Sequence, residues 1–545
     1  MKKAILLLLI VGVAFLLRFN KVWDNPPALS WDEVSIGYNA YSILKTGKDE
    51  HGRFLPLDTF VAYGDYKPPL AVYLTVPFVA VFGLNETSVR LPSVTFGALT
   101  VLFTFFLVSE LFYGLLNKKS QILGVVSSLV LAISPWHINI SRGGFEANIA
   151  LFFIVFGVWY VLSARRKPSR WVAVWIPFVA AIYTFNSARY FSVFIVFGLF
   201  CLLLPEIKKN FRIFSFGVII ALMLLVPIMP HLLSKEARLR FVEVNIFTDS
   251  AVIKTSNARI AAENSSVFSK IINNRRVGYA RSYLLHFMDN LEPGFLFVKG
   301  DGNPKFSIQD VGQMYMIEAP LLVIGVITML LLYPSVALFL LFWLITSIIP
   351  AATARETPHA LRILNSLPTW HIFIAFGVLQ ITEYLGNHDV GKKILRKSFI
   401  GSLVFLYCMS VIYYLHNYYN HYPSEFSGEW QYGYKQALEY TGVHTGQYKK
   451  IYISETIGRA YMYTLFYTRY DPEKYRNSKK SYFDAAGFYH VNGFGKYIFT
   501  DGSLPPLEGD SLYILPSGQT PKGVVIQKTI PLLNGEPVLS IFTKG

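Results

Sequence analysis

Asp32 and Glu33 are the residues best placed by type and context to act as a general base. They follow Ser30-Trp31 and lead into Val34-Ser-Ile-Gly-Tyr-Asn-Ala-Tyr-Ser-Ile-Leu44, which reads as an apolar helix. With Ser30 as N-cap, Glu33 falls at the third helical position, so Ser30 and Glu33 form a capping box. A cap explains Glu33, and Glu33→Gln keeps part of it. A cap does not require Asp32. Carboxylates in a first helical turn are favoured as anions by the helix dipole, and an ionised carboxylate accepts a proton from an attacking hydroxyl or amine.

Further along the same segment runs Gly64-Asp65-Tyr66-Lys67-Pro68-Pro69-Leu70. The prolines fix the backbone and allow a helix to start. Alone, Lys67 reads as a lysine snorkelling to lipid head groups. With Asp32 in the same segment it reads as a point charge for a phosphate. Other cations follow in Ser141-Arg142-Gly143-Gly144-Phe145-Glu146 and in Thr353-Ala354-Arg355-Glu356-Thr357-Pro358-His359-Ala360-Leu361-Arg362. Arg142 and Glu146 have the spacing of an ordinary helical ion pair. His359 and Arg362 share one face of a starting helix, although a buried histidine bonded to backbone accounts for His359 equally well. Several arginines gathered at one membrane face suit a lipid-linked phosphate.

The chain that carries these groups has 545 residues, of which 53% are hydrophobic and 15% charged, with mean hydropathy +0.39. Soluble domains are roughly 25% charged, so the composition indicates a polytopic membrane protein and excludes disorder, collagen and coiled coil. The net charge of +16 is then a topology signal and not a sign of nucleic acid. Cys201 and Cys408 lie in apolar runs and build neither a disulfide framework nor a metal site. The start, Met1-Lys2-Lys3 and an apolar run ending at Arg18, resembles a signal peptide without a cleavage site, so an uncleaved first span is expected.

Runs long enough to cross a bilayer lie near 4–19, 91–116, 121–140, 147–163, 171–186, 190–205, 213–232, 314–333, 336–352, 363–385 and 398–415. The short run 70–84, with Pro77, is read as interfacial or re-entrant. Eleven spans then put fifteen Lys and Arg at one set of ends, among them Lys118, Arg166, Lys209 and Lys393, against four (Arg142, Arg189, Arg355 and Arg362) at the other. The positive-inside rule makes the richer side cytoplasmic. The N-terminus is therefore expected in the cytoplasm, and the segments 20–90, 233–313 and 416–545 outside. The last alternates strand-like pieces at 450–454, 496–499, 511–515, 524–527 and 538–542 with helix-like ones at 433–440 and 459–466. It predicts a small extracytoplasmic α/β domain (416–545) after a membrane domain (1–415). The spans are nearly free of mid-membrane charge, which speaks against an ion-coupled transporter.

Trp31-Asp32-Glu33, Lys67-Pro68-Pro69-Leu70, Arg90-Leu91-Pro92-Ser93, Ser141 to Glu146 and Pro358 to Arg362, in this order, resemble the GT-C glycosyltransferases. The branch is the bacterial one related to protein O-mannosyltransferases and the lipid A aminoarabinose transferase, and the likeness covers about residues 1–415. It implies transfer of one sugar from a polyprenyl-phosphate donor, with inversion, to a protein, lipid or cell-envelope glycan acceptor on the outer face of the plasma (inner) membrane. It implies Asp32 as base, assisted by Glu33 and Glu146. It also implies that Lys67 holds the donor phosphate, where the gathering of cations adds Arg142, Arg355, His359 and Arg362 as further candidates. One relative has a Glu directly before the lysine. Here Tyr66 stands there and Asp65 one residue earlier, and no metal or other cofactor is expected. The expected partners are the lipid donor, the acceptor and membrane lipids, with no nucleic acid. A ligase or polymerase moving whole lipid-linked glycans, and a lipid flippase without chemistry, are the alternatives.

Overall fold

The computed structural model describes residues 2–234, 237, 245–386, 390–485 and 487–545. Residues 235–236 and 238–244 of the expected outer segment 233–313, and residue 486 of the expected C-terminal domain, lie outside the described residues. Each of the eleven apolar runs contains helix, although 121–140 and 171–186 are broken. The first elements are α1 (Lys2–Phe19), α2 (Trp31–Thr46), β1 (Phe60–Ala62), β2 (Asp65–Lys67), α3 (Leu70–Phe82), α4 (Glu86–Leu111), α5 (Lys119–Ile133), α6 (Pro135–Arg142) and α7 (Glu146–Ala164).

Among the described residues six helices have the length and apolar character to cross a membrane: α4, α7, Phe211–Leu232, Pro334–Ala351, Leu364–Tyr384 and Gly391–Asn420. A seventh arises if α5 and α6, bent by 57°, count as one span. Pro168–Ile182, Asn186–Leu202 and Glu318–Leu332 are apolar but shorter. α1 carries Lys2, Lys3 and Arg18 within its 18 residues.

The chain folds into two compact units that interleave in sequence. The first comprises Met1–Ala14, Gly97–Ile140 and Ala150–Tyr414. It is a helix bundle whose closest approach is built on glycine. A Cβ on Gly325 would stand 1.9 Å from the Phe373 carbonyl oxygen, and one on Gly377 2.1 Å from that of Leu321. The helices 318–332 and 369–384 therefore meet backbone to backbone, the contact small residues allow between membrane helices.

The second unit joins Phe15–Phe96, Ser141–Ile149 and Leu415–Gly545. The division at 414/415 lies within one residue of the expected boundary, and what differs is that residues 15–96 and 141–149 join the C-terminal domain in this unit. That domain carries, among the described residues, a seven-stranded sheet in the order β4-β5-β6-β3-β7-β9-β8. Its strands are β3 (Lys450–Ser454), β4 (Lys480–Phe483), β5 (Tyr489–Phe494), β6 (Tyr497–Thr500), β7 (Ser511–Pro516), β8 (Val524–Pro531) and β9 (Pro537–Lys544). β3 is parallel to both β6 and β7, and the other pairs are antiparallel.

Residues 33–40 of α2 are buried within the second unit. A Cβ on Gly37 would stand 2.6 Å from both the Phe466 ring and Val89, so that glycine lets α2 seat against the helix Ala460–Tyr467. Burying this apolar face in protein costs less than leaving it at a wet surface. α3 keeps an exposed apolar edge at Val81 and Phe82.

Candidate functional site

Ser30 caps α2 as its sequence predicts. Its hydroxyl accepts the Glu33 N–H (3.4 Å) and its own N–H donates to Glu33 Oε2 (2.8 Å). The other Glu33 oxygen accepts Arg90 Nε at 2.8 Å and the Gly144 N–H at 2.9 Å. Glu33 and Arg90 both have side chains of 0% exposure. A Cβ on Gly144 would come within 3.0 Å of Glu33 Cγ, which is why the chain carries glycine there. Arg90 spends three of its remaining four donors on the carbonyls of Val22, Pro26 and Ala28. Glu33 is therefore a structural clamp with every oxygen engaged, and its placement beside the base is corrected accordingly. In Glu33→Gln the amide keeps part of the cap but leaves the buried Arg90 charge without its counter-charge.

Arg142 is corrected in the same way. It is fully buried, and its guanidinium donates to the carbonyls of Leu17 (2.8 Å), Asn20 (2.6 Å) and Asn25 (2.8 Å) and to the hydroxyls of Tyr418 and Tyr419 (both 3.0 Å). Five N–H groups are all that a guanidinium has. Arg142 ties the end of α1 to Tyr418 and Tyr419 in the last turns of the helix ending at Asn420 and has none to offer a phosphate.

Asp32 is different. Immediately before Glu33 in the chain, its side chain is 42% exposed and accepts Lys67 Nζ at 2.5 Å, while the lysine is only 6% exposed. The β1–β2 hairpin delivers Lys67, in register with Phe60, and its turn is made by Tyr63 (φ 61°) and Gly64 (φ 91°). Burial by itself lowers the Lys67 pKa. The charges of Asp32 first, then Glu146 and Asp65, outweigh it and hold the ammonium above its ordinary value. The fold thus gathers Asp32, Asp65, Lys67 and Glu146. Tyr66 lies on the same strand, half-buried, and its N–H donates to Asp65 Oδ1 at 3.0 Å.

Two neighbours of Asp32 were not evident in the sequence. Tyr63 donates to the Trp31 carbonyl at 2.8 Å, and the Arg459 guanidinium stacks 4.8 Å from the Tyr63 ring centroid. Arg459 stands in the left-handed region (φ 53°), a strained backbone that persists only where surrounding structure imposes it. Its only sequence signal is the Gly458-Arg459 pair before an apolar helix.

Arg355, His359 and Arg362 belong to the first unit. Arg355 is exposed and donates to the Asn245 carbonyl (3.1 Å) and the Thr248 hydroxyl (3.0 Å). Arg362 donates to the Glu356 carbonyl at 3.1 Å. His359 is buried, with its ring 4.9 Å from that of Phe306 and Nδ1 3.8 Å from Asp301 Oδ2. Burial pushes the Asp301 carboxyl up to about 6.

Beneath the hairpin lies a second acidic group with a pH consequence. Glu50 is fully buried and accepts Asn39 Nδ2 at 3.4 Å. Burial pushes its carboxyl from 4.5 up to about 8, against the pull of Asn39 and Lys479. His51, packed on Tyr489 with ring centroids 4.8 Å apart, is driven by burial and by Lys479 from 6.5 down to about 4. Unfolded Glu50 ionises near 4.5 and folded Glu50 near 8, so its contribution to stability falls as pH rises through that range. His51 has the opposite sign between about 4 and 6.5. Below pH 6.5 the two oppose each other, and from about 6.5 to 8 Glu50 acts alone. Tm is expected to fall over that upper window, and Glu50→Gln to flatten the decline. Thermal melts of both proteins across pH check it, and identical slopes would contradict it.

Residues 66–233 match the family described as dolichyl-phosphate-mannose-protein mannosyltransferase. No curated protein sequence matches the chain. ArnT from Cupriavidus metallidurans, solved bound to undecaprenyl phosphate, is similar at TM-score 0.52 and 12% identity over 98% of this chain and 97% of that one. The archaeal oligosaccharyltransferase AglB from Archaeoglobus fulgidus, solved with an inhibitory peptide and a dolichol-phosphate, is similar at TM-score 0.50 and 12% identity, covering 86% of this chain and 63% of that one. At such identity the structural likeness carries the fold. That fold is the GT-C one, as the motifs implied.

Proposed function

We propose that this GT-C membrane protein, related to the protein O-mannosyltransferases and to ArnT, moves a single sugar from a polyprenyl-phosphate donor to a hydroxyl or amine of a protein, lipid or cell-envelope glycan. The observation that carries the reading is the half-exposed Asp32 carboxylate held against the buried ammonium of Lys67. A donor phosphate entering beside Lys67 takes over its ammonium and releases Asp32. The acceptor oxygen or nitrogen then attacks the anomeric carbon as the bond from that carbon to the phosphate oxygen breaks. The electron pair leaves on the phosphate, Lys67 stabilises that charge, and Asp32 takes the acceptor proton. Charge stabilisation of this kind is usually the largest catalytic term, and in-line displacement with one base inverts the anomeric carbon. Glu146 is left to hold sugar or acceptor hydroxyls.

The reading uses no metal: the positive charge among the carboxylates of Asp32, Asp65 and Glu146 is the Lys67 ammonium. The fifteen-to-four basic asymmetry supports an N-terminus in the cytoplasm and a C-terminal domain outside, and the reading places the protein in the plasma membrane.

Lys67→Ala is expected to weaken binding of a polyprenyl phosphate about 10- to 100-fold, the worth of a hydrogen bond to a charged group. Lys67→Arg restores part of it, since the charge is kept and the geometry is not. Titration of the purified protein with polyprenyl phosphate in detergent measures this, and equal affinity of wild type and Lys67→Ala would remove Lys67 from the phosphate site.

A further inference from the structure

A cavity of about 500 Å³ in the first unit, at the C-terminal ends of α4 and α7, takes no part in the chemistry above. Phe105, Phe106 and Trp159 give it an aromatic wall, and Lys118, Arg166, Lys167 and Arg170 supply cations. Glu110 is its one acidic lining residue, so the lining carries a net charge of +3.

The two guanidinium groups are held in place. Arg166 pairs with both oxygens of the buried Glu110, its Nε at 3.0 Å, and lies 4.6 Å from the Tyr113 ring centroid. Glu110 engages two of five N–H groups, and the Arg166 side chain remains 52% exposed. Arg170 donates to the Ser163 hydroxyl and stacks on Trp159 and Tyr160 at 5.4 and 5.3 Å. A further cation approaches the wall, where Lys3 Nζ donates to Gln121 at 2.9 Å. Stacking and ion pairing fix these side chains before a ligand arrives, which lowers the ordering cost of binding.

We propose that this cavity binds the phosphate headgroup of an anionic phospholipid. A phosphodiester carries one negative charge, matched by Arg166, Lys167, Arg170 and Lys118. Its acyl chains would cover the Phe105–Phe106–Trp159 wall, which a soluble phosphate would leave wet. α4 and α7 are both helices of membrane-crossing length, so their ends lie at headgroup depth. Basic pockets between such helices recognise anionic lipid on the cytoplasmic side, the side to which the basic asymmetry assigns Lys118 and Arg166. The lipid would fix the depth and packing of α4, α5 and α7.

Native mass spectrometry of the full-length protein, delipidated in a non-ionic detergent, tests this with phosphatidylglycerol, phosphatidylcholine and inorganic phosphate as probes. Phosphatidylglycerol is expected to bind at least tenfold tighter than phosphatidylcholine and to resist millimolar inorganic phosphate. Arg166→Gln/Arg170→Gln should abolish that preference. Because Arg166 neutralises buried Glu110, the double variant can fail to fold. Lys118→Gln/Lys167→Gln removes two exposed cations outside that pair and should cut the preference severalfold. Lys208→Gln/Lys209→Gln, outside the cavity, should leave it unchanged. Equal binding of the two lipids, displacement by inorganic phosphate, or unaltered preference in Lys118→Gln/Lys167→Gln would overturn the proposal.

Discussion

Asp32→Asn is expected to lower turnover by about 10²–10⁴, the range that general acid–base catalysis contributes, while donor binding and folding stay near wild type. The asparagine keeps the size of the side chain and a hydrogen-bond acceptor for Lys67. The lysine also retains Asp65 and Glu146 as counter-charges. Asp32 is partly exposed, so losing its ion pair costs far less than losing one between fully desolvated groups. Single-turnover rates with saturating donor separate the chemical step from binding. Near-wild-type turnover of Asp32→Asn at every pH would assign the base to another residue.

The next position along the helix behaves in the opposite sense. Glu33→Gln is expected to cost about 3–5 kcal/mol of stability, the usual penalty for removing one partner of a buried ion pair. The amide can still accept from Ser30 or Gly144, but Arg90 then holds an uncompensated charge at 0% exposure. Little properly folded protein should be recovered, and whatever folds should show a lowered Tm with its chemistry largely intact. Glu33→Gln/Arg90→Met, which removes both charges, should recover part of the loss. Thermal melts of the three variants check this. A Glu33→Gln protein as stable as wild type but inactive would return Glu33 to the chemistry.

These adjacent carboxylates show which parts of the site were legible in sequence and which were not. Ser30 and Glu33 are three residues apart, so their capping box could be read directly. Asp32 and Lys67 lie in one segment, and proximity along the chain brought them together. What uses up Glu33 comes from Arg90, 57 residues on, and Gly144, 111 residues on, and no local pattern announces either. Arg142 was misread for the same reason, since its carbonyl acceptors at Leu17, Asn20 and Asn25 and its tyrosines at 418 and 419 converge only in three dimensions. The β1–β2 hairpin escaped because Tyr63-Gly64 takes the positive-φ turn usually signalled by Asn-Gly or Asp-Gly. In the C-terminal domain, strands rich in Ile, Val and Leu such as β3 and β7 were visible. β4, whose Lys480-Ser-Tyr-Phe483 is exposed throughout at the edge of the sheet, has no buried face to impose a pattern. The helices of the membrane part were the most legible, because a bilayer demands length and apolarity and little else.

The central claim is that Asp32 and Lys67 perform sugar transfer from a polyprenyl-phosphate carrier. Its most direct test incubates the purified protein in detergent with a panel of polyprenyl-phosphate sugars and a cell-envelope extract as acceptor, and detects polyprenyl phosphate released. The account predicts release with at least one donor, lost in both Asp32→Asn and Lys67→Ala. Acceptor-dependent release that persists undiminished in both variants, or no release from any donor by a protein that binds polyprenyl phosphate, would contradict it.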